Sequence, residues 1–332
     1  MCQYSSKDGF ANDWHLVHLG SRAIGGSALI FSEAAAVSPE GRITEADLGI
    51  WKDEHIPALK RITDFIHQNG AIAGIQIAHA GRKASTVAPW LGGKAVKKSE
   101  GGWQTVAPSA IAFRETDELP EPLSLQQIKK VADDFGGAAG RALAAGFRAL
   151  EIHAAHGYLI HQFLSPLSNT RTDHYGGSFA NRSRLLMEVL EAVKREWPED
   201  LPLFVRISAT DWAEGGWDAD QSVELSKMLS LAGVDLIDCS SGGLVPYAKI
   251  DAAPGYQVQF AEKIKHEAGI LTGAVGMITE VGQAEAILKA EKADLIFLAR
   301  QLLRDPYFPL HAAVQLKEDV TWPPQYERAR LK

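Results

Sequence analysis

Cysteine is nearly absent. Cys2 and Cys239 are the only two in 332 residues, too few for a disulfide framework and not spaced like a structural zinc site. Charge of one sign never accumulates: the net charge is −7 and no run of five like charges occurs. That excludes the basic footprint of a nucleic-acid or anionic-membrane binder and leaves a small molecule as the expected partner. No apolar stretch reaches eighteen residues, and the amino end has no charged region followed by an apolar core. The expectation is a soluble, cytoplasmic protein that does not span a membrane. A Gly-x-Gly-x-x-Gly after an early strand is missing as well, which counts against an open dinucleotide-binding sheet. Internal repeats and low-complexity tracts are absent.

What is present is alternation. Helices are predicted near 13–22, 54–68, 125–145, 182–196, 220–231, 257–267, 281–290 and 309–316, with apolar strands near 28–32, 71–77, 149–153, 203–207, 236–239, 270–273 and 295–298. Seven strands and eight helices in turn predict an α/β protein, a (β/α)8 TIM barrel forming a single domain over 1–332. Because a helix comes first, the eighth strand is expected to precede Met1, with Met1-Cys2 at its carboxyl end. Two connections, about 79–123 and 154–181, are too long for ordinary barrel loops. The first is read as a lid insertion, containing a strand-like stretch at 110–113, and both belong on the catalytic face.

The stretch Glu151-Ile152-His153-Ala154-Ala155-His156-Gly157-Tyr158 ends a buried strand, where barrels carry their chemistry. Three polar side chains there would each need partners if they were merely buried. A metal reading of His153-x-x-His156 stays open, but the spacing is not the helical i, i+4 pair of the zincins and no third ligand is evident, so no metal is expected. Two neutral donors aimed at one carbonyl or nitro oxygen, with Tyr158 as a hydroxyl acid, suit the pattern better. Later, Thr272-Gly273-Ala274-Val275-Gly276 and Leu298-Ala299-Arg300 close the last two strands, the place of a barrel's phosphate site.

Taken together, several motifs resemble one family. They are Met1-Cys2-Gln3-Tyr4, Glu33-Ala34, Ile75-Gln76-Ile77-Ala78-His79-Ala80-Gly81-Arg82, His153-Ala154-Ala155-His156-Gly157-Tyr158, Ser168-Asn169-x-Arg171-x-Asp173-x-Tyr175-Gly176-Gly177-Ser178 and Gln325-Tyr326-Glu327-Arg328. The chain is similar along its whole length to the Old Yellow Enzyme family of FMN-dependent, NADPH-oxidising ene-reductases, and to its thermophilic-like subclass. The resemblance implies that Met1 and Cys2 lie close to the flavin, with Cys2 tuning its potential, while Ala34 packs by the ring. Gln76 would bond the pyrimidine edge and Arg206 would sit near flavin N1. Gly276, Ala299 and Arg300 would bind the phosphate. Tyr4, His153, His156 and Tyr158 would hold an enone or nitroalkene, with Tyr158 the proton donor. Arg328, on a dimer-contact tail at about 320–332 that has no strand or helix pattern of its own, would act in trans within a homodimer. The alternatives are a metal- or phosphate-dependent barrel lyase and a non-catalytic flavin-binding remnant.

Overall fold

Strand formation follows the apolar runs. The computed structural model describes residues 1–330. Its strands are β1 (Leu29–Ala36), β2 (Ile72–Ala78), β3 (Val106–Ala107), β4 (Glu121–Pro122), β5 (Ala149–Ala154), β6 (Leu203–Ser208), β7 (Leu236–Ser240), β8 (Leu271–Ala274) and β9 (Leu295–Ile296). Seven of them form one sheet in the order β1-β2-β5-β6-β7-β8-β9, and each neighbouring pair is parallel. A parallel sheet is covered on both faces, so its strands are buried along their length instead of alternating between core and solvent; all six residues of β5 are buried. Among the described residues β1 and β9 are the two ends of the curled sheet.

The α-helices are α1 (Asp13–Ile24), α2 (Ile56–Gln68), α3 (Leu125–Ala144), a short α4 (Leu159–Leu164), α5 (Phe179–Glu196), α6 (Ala219–Leu231), α7 (Val258–Ala268), α8 (Val281–Lys289), a short α9 (Arg300–Arg304) and α10 (Phe308–Leu316). Local chemistry sets their starts. Asn12 caps α1, and Ser124 with Gln127 closes a reciprocal box on α3, which satisfies amides that have no partner inside the helix. In α3 the residues Ile128, Val131, Ala132, Phe135, Ala138, Ala139 and Ala142 recur at helical spacing and are buried. Between them Gly136 lets α5 approach so closely that a Cβ there would lie 3.0 Å from the Ala192 carbonyl oxygen.

Three local expectations change. The connection 154–181, read as a loop, contains α4, all of whose six residues are buried; a helix with no polar face shows no 3.6-residue period. The strand-like 110–113 lies outside any strand, because the carbonyls of Ile111 and Ala112 accept from Arg82 Nη1 at 3.1 and 3.4 Å instead of from a neighbouring strand. A two-stranded parallel ladder, β3 with β4, forms in that insertion instead. The carboxyl tail, read as having no regular structure, carries a 3-10 turn over Pro324–Ala329.

Candidate active site

The sheet's register puts polar side chains side by side in its otherwise apolar centre: Gln76 pairs with Glu151, His153 with Arg206, and Arg206 with Asp238. Past β5 the chain reverses sharply, His156 at φ 57° and Gly157 at φ 73°. A left-handed φ at a non-glycine residue is strained and needs support. Here the His156 amide donates to Ser208 Oγ at 2.9 Å, and Lys83 Nζ donates to the carbonyls of His156 and Gly243, each at 2.8 Å. Gly157 passes so near the next loop that a Cβ would stand 2.2 Å from the Gly243 carbonyl oxygen.

The two imidazoles form a relay. The Ala155 amide donates to His153 Nδ1 at 3.1 Å, so the ring proton of His153 is on Nε2. That nitrogen lies 3.2 Å from His156 Nδ1, and His156 Nε2 in turn lies 2.7 Å from Ser240 Oγ. Both rings therefore carry their proton on Nε2. Burial, and after it the Arg206 guanidinium, holds both well below the usual histidine range, so they are neutral. In this arrangement His153 donates to His156 and His156 to Ser240, where sequence reasoning has both aimed at one ligand oxygen.

Tyr158 stands edge-on to His153 with ring centroids 5.0 Å apart. Burial, then Cys2, Tyr4 and Asp47, pushes its phenol well above the ordinary range. Cys2 is raised by burial and by Asp47 and Glu33, so it stays a thiol and is a poor nucleophile. Asp47 itself is pushed up to about 6 by burial, although it accepts from the amides of Ile43 and Thr44 and the Thr44 hydroxyl. Ala34, Asp47 and Tyr158 line one small void. Tyr4, at φ 47°, meets the edge of Trp90 from the 79–123 insertion with centroids 5.7 Å apart.

A cavity of about 440 Å³ opens beside this cluster and collects Met1, Gln76, Glu151, Arg206, Asp238 and Ala299 in its wall. Gln76 Nε2 donates to Glu151 Oε1 at 2.6 Å, and burial followed by Asp238 raises the Glu151 carboxyl. Arg206 Nε lies 3.1 Å from Asp238 Oδ2, an ion-pair distance without hydrogen-bond alignment. Glu151 Oε2, Arg206 Nε and Asp238 Oδ1 are thus buried with no hydrogen-bond partner, which a ligand with a polar edge would correct. Gly276 has φ 127°, and a Cβ there would meet Gln257 Nε2 at 2.9 Å; Ala299 has φ −114°, outside the left-handed region that favours glycine.

Not every predicted residue converges. Arg300 is exposed at the start of α9, and Arg328 is exposed on the tail, whose Tyr326 hydroxyl rests 3.4 Å from that of Tyr307. Sequence reasoning missed Ser208, Ser240, Lys83, and the His161–Asp211 pair at 2.8 Å. The two serines had a signal, since each is the last residue of an apolar strand. Among the described residues no group of three or more His, Cys, Asp or Glu is placed to hold a metal ion, and no helix is long and apolar enough to cross a membrane.

Comparison with known proteins shows what the chain is similar to. The family described as NADH:flavin oxidoreductase / NADH oxidase matches residues 1–319. The NADPH dehydrogenase of Bacillus subtilis (strain 168) is 52% identical over 330 residues, 99% of this chain and 92% of that one. The NADPH dehydrogenase of Listeria monocytogenes serotype 4b (strain CLIP80459) is also 52% identical, over 99% of this chain and 93% of its own. Among solved structures, morphinone reductase superposes with a TM-score of 0.78 at 26% identity, covering 98% of this chain and 86% of that one. The old yellow enzyme homologue from Zymomonas mobilis gives 0.75 at 27% identity, over 99% and 94%.

Proposed function

The chain belongs to the NADH:flavin oxidoreductase / NADH oxidase family and is an FMN-dependent oxidoreductase with NADPH as its reductant; from that premise we propose that it reduces activated C=C bonds of α,β-unsaturated carbonyl or nitro compounds in two alternating half-reactions at one site. The observation that carries this reading is the neutral His153–His156 pair beside Tyr158, with ring protons on Nε2 and no carboxylate holding either ring. Neutral donors stabilise negative charge as it develops on a substrate oxygen without protonating that oxygen first. A substrate oxygen would take over the bond that His156 now makes to Ser240. Tyr158 would then return a proton to the α-carbon, while Tyr4 closes the site under Trp90 of the insertion.

The cavity suits FMN. Its orphaned polar atoms on Arg206, Glu151 and Asp238 and the amide of Gln76 stand together in a wall otherwise supplied largely by apolar side chains, as a flat ring with one hydrogen-bonding edge requires. In this reading Gln76 and Arg206 hold that edge, Met1, Cys2 and Ala34 flank the ring, and Gly276, Ala299 and Arg300 take the phosphate. Bound there, FMN supplies hydride carriage between NADPH and the alkene. Cys2, kept as a thiol, tunes the flavin and forms no covalent bond. The single domain would be a ring that one further parallel strand completes between β9 and β1, with the 79–123 insertion as its lid, working in the cytoplasm.

The test is the visible spectrum of purified protein, taken anaerobically before and after NADPH and again after an enone. Flavin bands that bleach with NADPH and return with the enone are expected; bleaching without return removes the substrate assignment. We also infer a homodimer in which Arg328 reaches the partner's site, a role its exposure on a docked tail allows. Removing residues 322–332 should raise KM and weaken association while FMN stays bound. Sedimentation and kinetics of the truncated and full chains, measured side by side, decide it, and an unchanged KM ends the proposal.

A further inference from the structure

Lys83 has no role in what precedes except as a tie for the His156 turn, yet its setting is unusual for a lysine. It ends the turn Gly81–Lys83 that follows β2. Its ammonium lies 4.5 Å from the Phe113 ring centroid and 5.4 Å from that of Tyr158. Two of its hydrogens go to the carbonyls of His156 and Gly243, and among the described residues no carboxylate lies within ion-pair reach of it. The charged groups around it are Arg82 on its own turn and Arg114 beyond Phe113, both cations; β5 and its loop present the neutral His153 and His156 and the phenol of Tyr158; the loop after β7 presents a carbonyl. Burial, then Arg82 and Arg114, lowers its pKa to about 8.

A largely desolvated cation without a counter-ion is costly to keep. Tyr158 presents the complementary difficulty, a proton donor whose surroundings suppress its acidity. When its O–H bond breaks, the proton goes to the α-carbon and the electron pair stays on the phenolate oxygen, to be reprotonated from solvent before the next turnover. We infer that Lys83, held in place by the carbonyls of His156 and Gly243, is a positioning residue of this proton-return step, which stabilises the phenolate that Tyr158 becomes. The inference rests on the alkene-reducing function proposed above.

Stopped-flow kinetics on the FMN-loaded enzyme separate the possibilities. In Lys83→Met, reduction by NADPH should keep its rate. Reoxidation by cyclohexenone should slow by roughly tenfold, the worth of one pKa unit in the phenol, with the loss in kcat and not in KM. Reoxidation by a benzoquinone, which takes its protons on oxygen from water, should be nearly unaffected. In the wild type the enone rate should decline above pH about 8 as Lys83 is neutralised; Met should abolish that limb, and Lys83→Arg should restore the rate and move the limb higher. Wild-type enone rates in Lys83→Met, a limb that persists there, or equal slowing with enone and quinone would each overturn the inference. A wild type that reoxidises with quinone but with no enone would remove the substrate reading, and this inference with it.

Discussion

Two histidine arrangements lie within nine residues of each other and behave in opposite ways. His153 and His156 hand protons along a line that ends in the Ser240 hydroxyl. His161 is fully buried, accepts the Gly157 amide on Nδ1 at 2.9 Å and faces Asp211 from Nε2 at 2.8 Å. Asp211 accepts in addition from Ser165 Oγ and the Trp217 amide. All three rings hold their proton on Nε2. What differs is the acceptor: a carboxylate makes a fastener, while a hydroxyl makes a donor that a substrate can reclaim. Burial alone does not tell an active histidine from a structural one.

The largest effect should come from breaking the fastener. Asp211→Ala leaves the Nε2–H of His161, the Ser165 hydroxyl and the Trp217 amide without their acceptor, and should cost about 3–5 kcal/mol in denaturant unfolding. The molecules that remain folded should still turn over an enone; if stability barely changes, the contrast is lost. Breaking the donor line should do the reverse. His153→Ala or His156→Ala should lower enone turnover by about 10²-fold, as for removal of an oxyanion donor, with FMN content nearly unchanged and a stability loss well below that of Asp211→Ala. Loss of FMN in step with activity would make these rings structural too.

Titration sharpens the comparison further. The folded state holds His153 and His156 neutral, whereas the unfolded chain protonates near pH ~6.5. The unfolded state therefore binds more protons below that pH, and wild type should lose stability relative to His153→Asn as pH falls, by about 1.4 kcal/mol per unit. Their difference in unfolding free energy should be flat above pH ~6.5 and should slope below it. Other groups that titrate in this window, Asp47 and Glu151 with the opposite sign among them, cancel in the difference. The smallest effect belongs to Ser240→Ala. It removes the acceptor that substrate replaces, so turnover should change by no more than about threefold and stability by ~1 kcal/mol; a loss as large as that of His156→Ala would make the serine part of the donor line in the working enzyme.

Residues adjacent in sequence were legible. The alternating pattern gave the strands of the sheet and their order, because each parallel pair is joined by the helix between, and the clustering of His153, His156 and Tyr158 at the end of β5 needed no partner to be noticed. What stayed hidden depends on distant pairing. Ser240 is 84 positions from His156, Lys83 is 73 from the carbonyl it caps, and nothing about His161 in isolation announces Asp211. The helix α4 escaped for a different reason, since complete burial erases the polar face that marks a helix. Arg82 removed the expected strand at 110–113 by capturing its carbonyls, a contact between separate stretches that no local pattern records.

The near-collision of Gly157 with the Gly243 carbonyl bears on how such an enzyme can diverge. Loops following β5 and β7 touch main chain to main chain, with Gly243 in turn leaving only 2.8 Å between a notional Cβ and His156 backbone atoms. Neither loop can drift, lengthen or accept a side chain at these points unless the other is rebuilt in the same step, and single substitutions there are dead ends. Variation has freer ground at the solvent-facing stretch 89–101, where Trp90 and Leu91 are exposed and where Trp90 reaches in to Tyr4. Libraries aimed at new substrates should be drawn from that stretch, leaving the glycine pair untouched.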